Sequence, residues 1–206
     1  MIGAPEIFTI FFVTLGPLKV LGPVAQRTQG LDDASVRRIA VWAFVIATIA
    51  IVVGSYIGAA LAANWRVSIA SLSIAAGIIF LLVALNQLLA QYEPAHAPAA
   101  PPPLPAAPAA AALRLLFPIV LTPYGIAAAI VLLVASTGAQ RTETIIALLV
   151  AVMVLNLLAM LFARKILVGA TMIVLQIVGA VLGVLQLGLA VEFIVRGLQL
   201  LGALPG

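Results

Sequence analysis

The sequence predicts an all-α membrane protein with six transmembrane helices, and two observations lead to that prediction. Of its 206 residues, 65% are hydrophobic and only 8% are charged, whereas roughly a quarter of a soluble domain is charged. Five uncharged stretches follow an apolar opening segment, each of at least the roughly 20 residues that cross a bilayer core as a helix. The chain has no cysteine, which excludes disulfides, thiol redox chemistry and cysteine metal sites.

The elements follow in order from these stretches. The predicted helices lie near residues 6–24, 39–63, 69–91, 113–135, 143–163 and 172–200. The first has no basic leader and no small-residue cleavage site, so we expect it to remain in the mature protein. The net charge of +4 comes from basic residues mostly at helix ends, which set membrane topology rather than bind nucleic acid.

The basic residues are distributed unequally between the two sets of loops. The side of the membrane that holds the proline-rich segment has six basic residues, Arg27, Arg37, Arg38, Arg114, Arg164 and Lys165. The side that holds both termini has three, Arg66, Arg141 and Arg196. Cytoplasmic loops carry the excess of Lys and Arg. We therefore predict a multi-pass protein of the bacterial inner membrane with both termini outside.

A proline-rich segment divides the chain. Residues 93–112, "EPAHAPAAPPPLPAAPAAAA", hold seven of the 13 prolines, a density that predicts an extended polyproline-type cytoplasmic linker. The flanking regions, 1–92 and 113–206, are then repeats of three helices each. His96, the single histidine, is interpreted as a solvated linker residue rather than a ligand.

The two repeats are weakly similar. "LGPLKVLG" in the first helix and "LTPYGIAA" in the fourth place Pro17 and Pro123 at matching positions. Three crossings per repeat force the second repeat to enter from the opposite side of the membrane. The prediction is a 3+3 inverted-topology repeat, an architecture found in many secondary transporters.

Helices one and four are predicted to be broken or kinked, at Gly16-Pro17 and at Thr122-Pro123-Tyr124-Gly125. Proline removes a backbone donor, and broken helices occur in membranes only where the break is buried in protein or lines a watery cavity. Half-helix ends at such breaks offer amide groups and a positive dipole end to an anion. The alternative is a simple kink whose backbone is satisfied by the hydroxyls of Thr14 or Thr122.

The polar residues inside the predicted helices have alternative interpretations. Lys19 either extends to the membrane interface or faces an internal cavity, available to a carboxylate substrate or to Glu192. Glu192 is itself favoured as the partner of Arg196, four residues on. Asn156 and Gln186 either join helices by hydrogen bonds or, for the deeply placed Asn156, line a path. The candidate substrate-binding residues are Thr14, Gly16, Pro17, Lys19, Thr122, Pro123, Tyr124, Gly125 and Asn156.

Four segments resemble the MarC family of bacterial and archaeal inner-membrane proteins. They are "GPLKVLGPVAQRTQGLDDASVRRIA", "SIASLSIAAGIIFLLVAL", "FPIVLTPYGIAAAIVLL" and "LQIVGAVLGVLQLGLAVEFIVRGL". The resemblance implies six helices, both termini outside, an inverted repeat and a place in the lysine-exporter superfamily, some of whose members move small neutral amino acids. The chain departs from the family at Gly16-Pro17, where Asn-Pro or Asp-Pro is usual, and at Lys19.

The expected function is secondary transport or export of a small amino acid or related organic solute, with its carboxylate at the two breaks. The alternative is a non-transporting membrane scaffold or assembly subunit, which would lack a polar, water-accessible cavity at the breaks. No helix presents paired carboxylates, a His/Asp cluster or a nucleophile–base pair, so we expect neither an enzyme nor a metal or organic cofactor. The expected partners are membrane lipid and a small-molecule substrate, with no nucleic acid; coupling to protons or sodium and assembly as a homo-oligomer are left open.

Overall fold

The computed structural model describes residues 3–89, 104–105, 107–136, 138–167 and 171–204. Within them every regular element is helical, which confirms the predicted all-α class. The elements are α1 (Ala4–Leu15), α2 (Pro17–Arg27), α3 (Asp33–Asn64), α4 (Ile69–Leu89), α5 (Pro108–Leu115), a π-helical turn (Leu116–Val120), α6 (Pro123–Val134), α7 (Ala139–Ile166) and α8 (Thr171–Leu200).

Five segments among the described residues are long and apolar enough to cross a membrane. They are Ala4–Arg27, Asp33–Asn64, Ile69–Asn86, Ala139–Ile166 and Ile177–Leu200. The helix predicted at residues 113–135 is not continuous, because it consists of the end of α5, the π-helical turn and α6. The 12 residues of α6 rise only about 18 Å, less than the roughly 30 Å of a bilayer core.

The end of the predicted linker differs from the extended conformation that we expected. Residues 108–112 form the first part of α5, with Pro108 in its first turn, where the missing N–H of proline is tolerated. The alanines that follow are the best helix formers, and Ala111 and Ala112 are fully buried. Residues 93–103 and 106, which include His96, lie outside the described residues.

The helices of the two halves pack reciprocally. α1 and α2 pack on α7, α5 and α6 pack on α3, and α4 packs along α8. Two apolar cores result, one centred on α1, α4, α6 and α8 and the other on α2, α3, α5 and α7. Large apolar side chains such as Ile49 of α3 and Val184 of α8 remain exposed, as expected of surfaces that face lipid.

Glycines allow α4 and α8 to approach closely. Both helices carry the pattern Ala-x₃-Ile-x₂-Gly, at residues 70–77 and 190–197. A Cβ atom at Gly77 would lie 2.7 Å from the carbonyl oxygen of Ala190, and one at Gly197 would lie 2.9 Å from the matching carbonyl of α4. The two glycines therefore form a reciprocal backbone contact that holds α4 and α8 together.

Gly77→Ala should destabilise the protein by about 1–3 kcal/mol, because the added methyl group meets backbone that cannot move without separating the helices. The measurement is thermal or denaturant unfolding of the purified protein in detergent. Gly54→Ala is the matched control, since a Cβ atom there has no heavy atom within 4 Å and alanine favours a helix interior. Equal stability of the two variants would contradict the close contact.

Candidate functional site

The first break is the interruption between α1 and α2. α1 ends at Leu15, α2 begins at Pro17, and Gly16 between them has an extended backbone with φ −63° and ψ 160°. Gly16 is buried, and a Cβ atom there would lie 1.7 Å from the carbonyl oxygen of Phe12. Only glycine fits this position without moving the backbone of α1.

The second break is the interruption between the π-helical turn and α6. Leu121 and Thr122 are extended, with φ −106° and ψ 105° and with φ −95° and ψ 143° respectively. Pro123 begins α6, and the Thr122 hydroxyl caps that helix by accepting a hydrogen bond of 3.2 Å from the Gly125 amide. Pro17 and Pro123 thus occupy the same local position, the first residue of a helix after an extended residue.

The two breaks are in direct contact. The Thr122 hydroxyl donates a hydrogen bond of 3.0 Å to the carbonyl oxygen of Thr14. A Cβ atom at Gly125 would lie 2.3 Å from the Leu15 side chain, so the start of α6 packs tightly on the end of α1. The Thr14 hydroxyl, in contrast, donates to the Ile10 carbonyl within α1 at 2.7 Å.

Side chains of the second half also satisfy the backbone that the first break leaves open. In an uninterrupted helix the carbonyls of Thr14 and Leu15 would accept hydrogen bonds from amides four residues later. Here Thr122 donates to the first carbonyl, and Asn156 Nδ2 of α7 donates to the second at 2.6 Å. This explains why an apolar helix tolerates the break, since unsatisfied backbone groups are expensive away from water.

Lys19 points into the protein rather than toward the membrane interface. Its Nζ atom donates hydrogen bonds to Tyr124 Oη at 2.6 Å and to Gln186 Oε1 at 2.8 Å, and lies 4.4 Å from the centroid of the Tyr124 ring. Glu192 instead forms an ion pair of 2.5 Å with Arg196, which confirms the predicted local pair.

The groups that bind Lys19 in the described part of the chain are polar and neutral. Its hydrogen-bond partners, Tyr124 and Gln186, are neutral side chains. Neither of the two ion pairs found among the described residues includes Lys19. Gln186 Nε2 and Asn156 Oδ1 are buried without a hydrogen-bond partner. Buried polar groups are normally paired, and an ammonium group binds a carboxylate more strongly than it binds neutral oxygens. Lys19 and Gln186 therefore offer a cation and an unpaired amide donor side by side. Asn156, which bonds to the end of α1, offers an unpaired amide acceptor.

A cavity of about 580 Å³ lies at the end of the bundle where α1 and α4 begin and α6 and α8 end. We call it the end cavity. It is lined by Pro5, Glu6, Thr9, Ile10, Ile69, Ser73, Val131, Leu132, Ala135, Leu189, Glu192, Phe193, Arg196, Gln199 and Leu200. None of the nine candidate residues lines it. Its deeper lining residues, Ile10 and Leu189, are one helical turn from Thr14 and Gln186. The end cavity therefore stops short of the breaks, where a water-accessible cavity was expected of a transporter.

The nine candidate residues are nevertheless neighbours in the structure. Contacts at the two breaks connect them. Of the two prolines, Pro17 is half-buried and Pro123 is exposed. Gln186 was not among the candidates. The sequence feature that could have identified it is its polar side chain in an otherwise apolar helix. Phe80, which contacts Tyr124, had no such signal, because one phenylalanine among many apolar residues is not distinctive.

A bundle of apolar helices with internally satisfied helix breaks defines an integral membrane protein with multiple crossings. The comparison with protein families agrees with this class. The family model described as MarC family integral membrane protein matches residues 4–201, so the chain belongs to that family, as the sequence resemblance indicated. Neither the curated proteins nor the solved structures contain a match to this chain.

Proposed function

We propose that the protein is a secondary transporter that moves a small amino acid or a related small organic acid across the bacterial inner membrane. The observation that carries the proposal is the position of Lys19. Its ammonium group lies between Tyr124 at the second break and Gln186 of α8, and both of these hydrogen-bond partners are neutral. Ionisable residues inside membrane helices are costly and mark substrate or ion pathways.

The site has the groups that a small amino acid requires. A substrate carboxylate would accept hydrogen bonds from Lys19 Nζ and from the unpaired Nε2 of Gln186. A substrate ammonium group would donate to the unpaired Oδ1 of Asn156. Each of these interactions involves a charged group, and such hydrogen bonds are roughly twice as strong as those between neutral groups. No step in this function requires catalysis or a cofactor.

The packing of the two halves supports an inverted repeat. The first helices of each half pack on the middle helix of the other, α1 and α2 on α7 and α5 and α6 on α3. The prolines that begin α2 and α6 have equivalent local positions at the two breaks. In such repeats the substrate lies at the repeat interface, near the bilayer midplane. The contact between the two breaks, one from each half of the chain, supports the same location for the substrate here.

Hydrogen bonds join separate elements at the end of the molecule opposite the end cavity. Arg27 donates to the carbonyl oxygen of Arg114 at 3.0 Å. Arg164 donates to the carbonyl oxygen of Leu31 at 2.9 Å and contacts Asp33 at 3.4 Å. A cavity at one end and interhelical contacts at the other are the arrangement that alternating access requires of one of its states.

The test of this function is flux through the purified protein in liposomes. A panel of labelled glycine, alanine, larger neutral amino acids and aliphatic monocarboxylates would be measured in uptake and in efflux, with proton or sodium gradients imposed. We expect saturable flux of at least one small carboxylate, absent from liposomes without protein. A folded protein that moves none of these solutes would instead support the scaffold or assembly subunit.

The orientation is tested separately. By the excess of basic residues on the linker side, a reporter inserted at residue 100 should indicate the cytoplasm, and a reporter fused to the C-terminus should indicate the outside of the cell. The measurement is a pair of fusions to a reporter active only in the cytoplasm and one active only outside it. The reverse pattern would place both termini in the cytoplasm.

A further inference from the structure

Three aromatic rings separate the end cavity from Lys19. Phe193 lines the cavity, and its ring centroid lies 5.4 Å from that of Phe80, which is fully buried. Phe80 in turn meets the ring of Tyr124 nearly at right angles, with centroids 5.7 Å apart. Because Tyr124 accepts the hydrogen bond from Lys19, an unbroken series of contacts leads from the cavity to the ammonium group.

We propose that Phe80, Tyr124 and Phe193 form an aromatic gate between the end cavity and Lys19, and that the end cavity is the route by which a small carboxylate reaches or leaves the site. The identity of the ligand rests on the proposed function. The existence of the gate does not, since it follows from the rings and the cavity alone.

The dimensions and composition of this region fit an access route. A volume of about 580 Å³ is within the range of roughly 300–1,000 Å³ that small-molecule pockets have. The rings are at most 6% exposed, and a dry aromatic contact excludes water and charge from the space it fills. A polar solute can therefore enter the end cavity but cannot reach Lys19 until the rings separate.

The helix that carries Tyr124 is the element best placed to open the gate. Phe80 and Phe193 lie on α4 and α8, which the reciprocal glycine contact holds together. Tyr124 is the second residue of α6 and follows the extended residues of the second break, and hinges lie at such element ends. A carboxylate bound to Lys19 would compete with Tyr124 Oη for the ammonium group, which links occupancy of the site to the position of the ring.

The natural absence of cysteine makes the gate testable by labelling. Ser73→Cys places a thiol on the wall of the end cavity, and Gln186→Cys places one on the far side of the gate. Membrane-impermeant thiol reagents would be applied to right-side-out and to inside-out vesicles, and the side that labels Ser73→Cys defines the cavity side. From that side we expect rapid labelling of Ser73→Cys and slow labelling of Gln186→Cys.

Removal of the central ring should open the route. Phe80→Ala should raise the labelling rate of Gln186→Cys by roughly tenfold or more and leave that of Ser73→Cys unchanged, because both ring contacts of the gate are lost. Phe80→Leu, which keeps an apolar side chain without a ring, provides a milder variant should the alanine variant fail to fold. Phe11→Ala is the matched control, since Phe11 is equally buried in the same core but is not one of the three rings.

The outcomes separate the gate from the transport function. Fast labelling of Gln186→Cys with Phe80 in place would overturn the gate, as would an equal acceleration by Phe11→Ala, which would indicate a generally loosened core. Labelling of Gln186→Cys that depends on Phe80, together with no measurable flux through the wild-type protein, would retain the gate and reject the proposed function. Flux through the wild-type protein, with no effect of Phe80 on the labelling of Gln186→Cys, would reject the gate and retain the proposed function.

Discussion

Lys19→Met should reduce the affinity for a carboxylate substrate by roughly 10- to 100-fold, because a hydrogen bond to a charged group contributes about 1.5–3 kcal/mol. Methionine keeps most of the length and the apolar stem of lysine and removes only the ammonium group. The carboxylate would lose its single positively charged donor among the groups that we assign to the site. The measurement is the concentration dependence of flux in liposomes, with the substrate that gives the largest wild-type rate.

Two further variants separate the charge from its position. Lys165→Met removes a positive charge from an exposed position at the end of α7 and should leave the flux unchanged. Lys19→Arg keeps the charge but exchanges a compact ammonium for a planar fork, so it should retain part of the affinity. Each variant must first elute as a single species and unfold cooperatively in detergent. Normal flux through a folded Lys19→Met protein would show that the lysine is structural and would reject the site.

The positions of the two breaks could be predicted from sequence because their causes are local. Proline has no amide donor and restricts the residue before it, so Gly16-Pro17 and Thr122-Pro123 indicated where helical hydrogen bonding stops. The identity of the groups that satisfy the open carbonyls could not be predicted in the same way. The donors, Thr122 and Asn156, lie more than 100 residues from their acceptors, and only the packed fold brings them together.

The two interpretations of Lys19 show the same limit. Both extension to the interface and an inward orientation were compatible with a lysine near the end of a predicted helix. The side chain's direction depends on Tyr124 and Gln186, whose positions are set by the packing of α6 and α8 against the first break. The interpretation of Glu192 needed no such information, because its partner Arg196 is four residues away on the same helix.

The start of α5 and the aromatic gate were missed for different reasons. High proline content indicated an extended linker, but after Pro108 the linker contains only alanine, and a buried position on the second core favours a helix there. Phe80 and Phe193 are ordinary residues of apolar helices. Their significance comes from the cavity on one side and Tyr124 on the other, and neither is visible in a hydropathy pattern.

Gly16→Ala should destabilise the protein more than Gly77→Ala does, although each substitution adds a single methyl group. The new Cβ atom would lie 1.7 Å from the Phe12 carbonyl oxygen, which is backbone and cannot rotate away. We expect a loss of at least about 3 kcal/mol, at or above the upper end for overpacked sites. To relieve the overlap, α1 and α2 must move apart, which also disturbs the hydrogen bonds from Thr122 and Asn156 to the first break.

Gly22→Ala is the matched control for this change. Gly22 lies within α2, six residues after Gly16, and a Cβ atom there has no heavy atom within 4 Å. Alanine should be neutral or stabilise α2 by up to about 1 kcal/mol. Thermal unfolding in detergent and the yield of protein in the membrane fraction would measure both variants. A Gly16→Ala protein as stable as Gly22→Ala would mean that the chain passes through residue 16 without the extended conformation, and the first break would then not exist as a site for substrate.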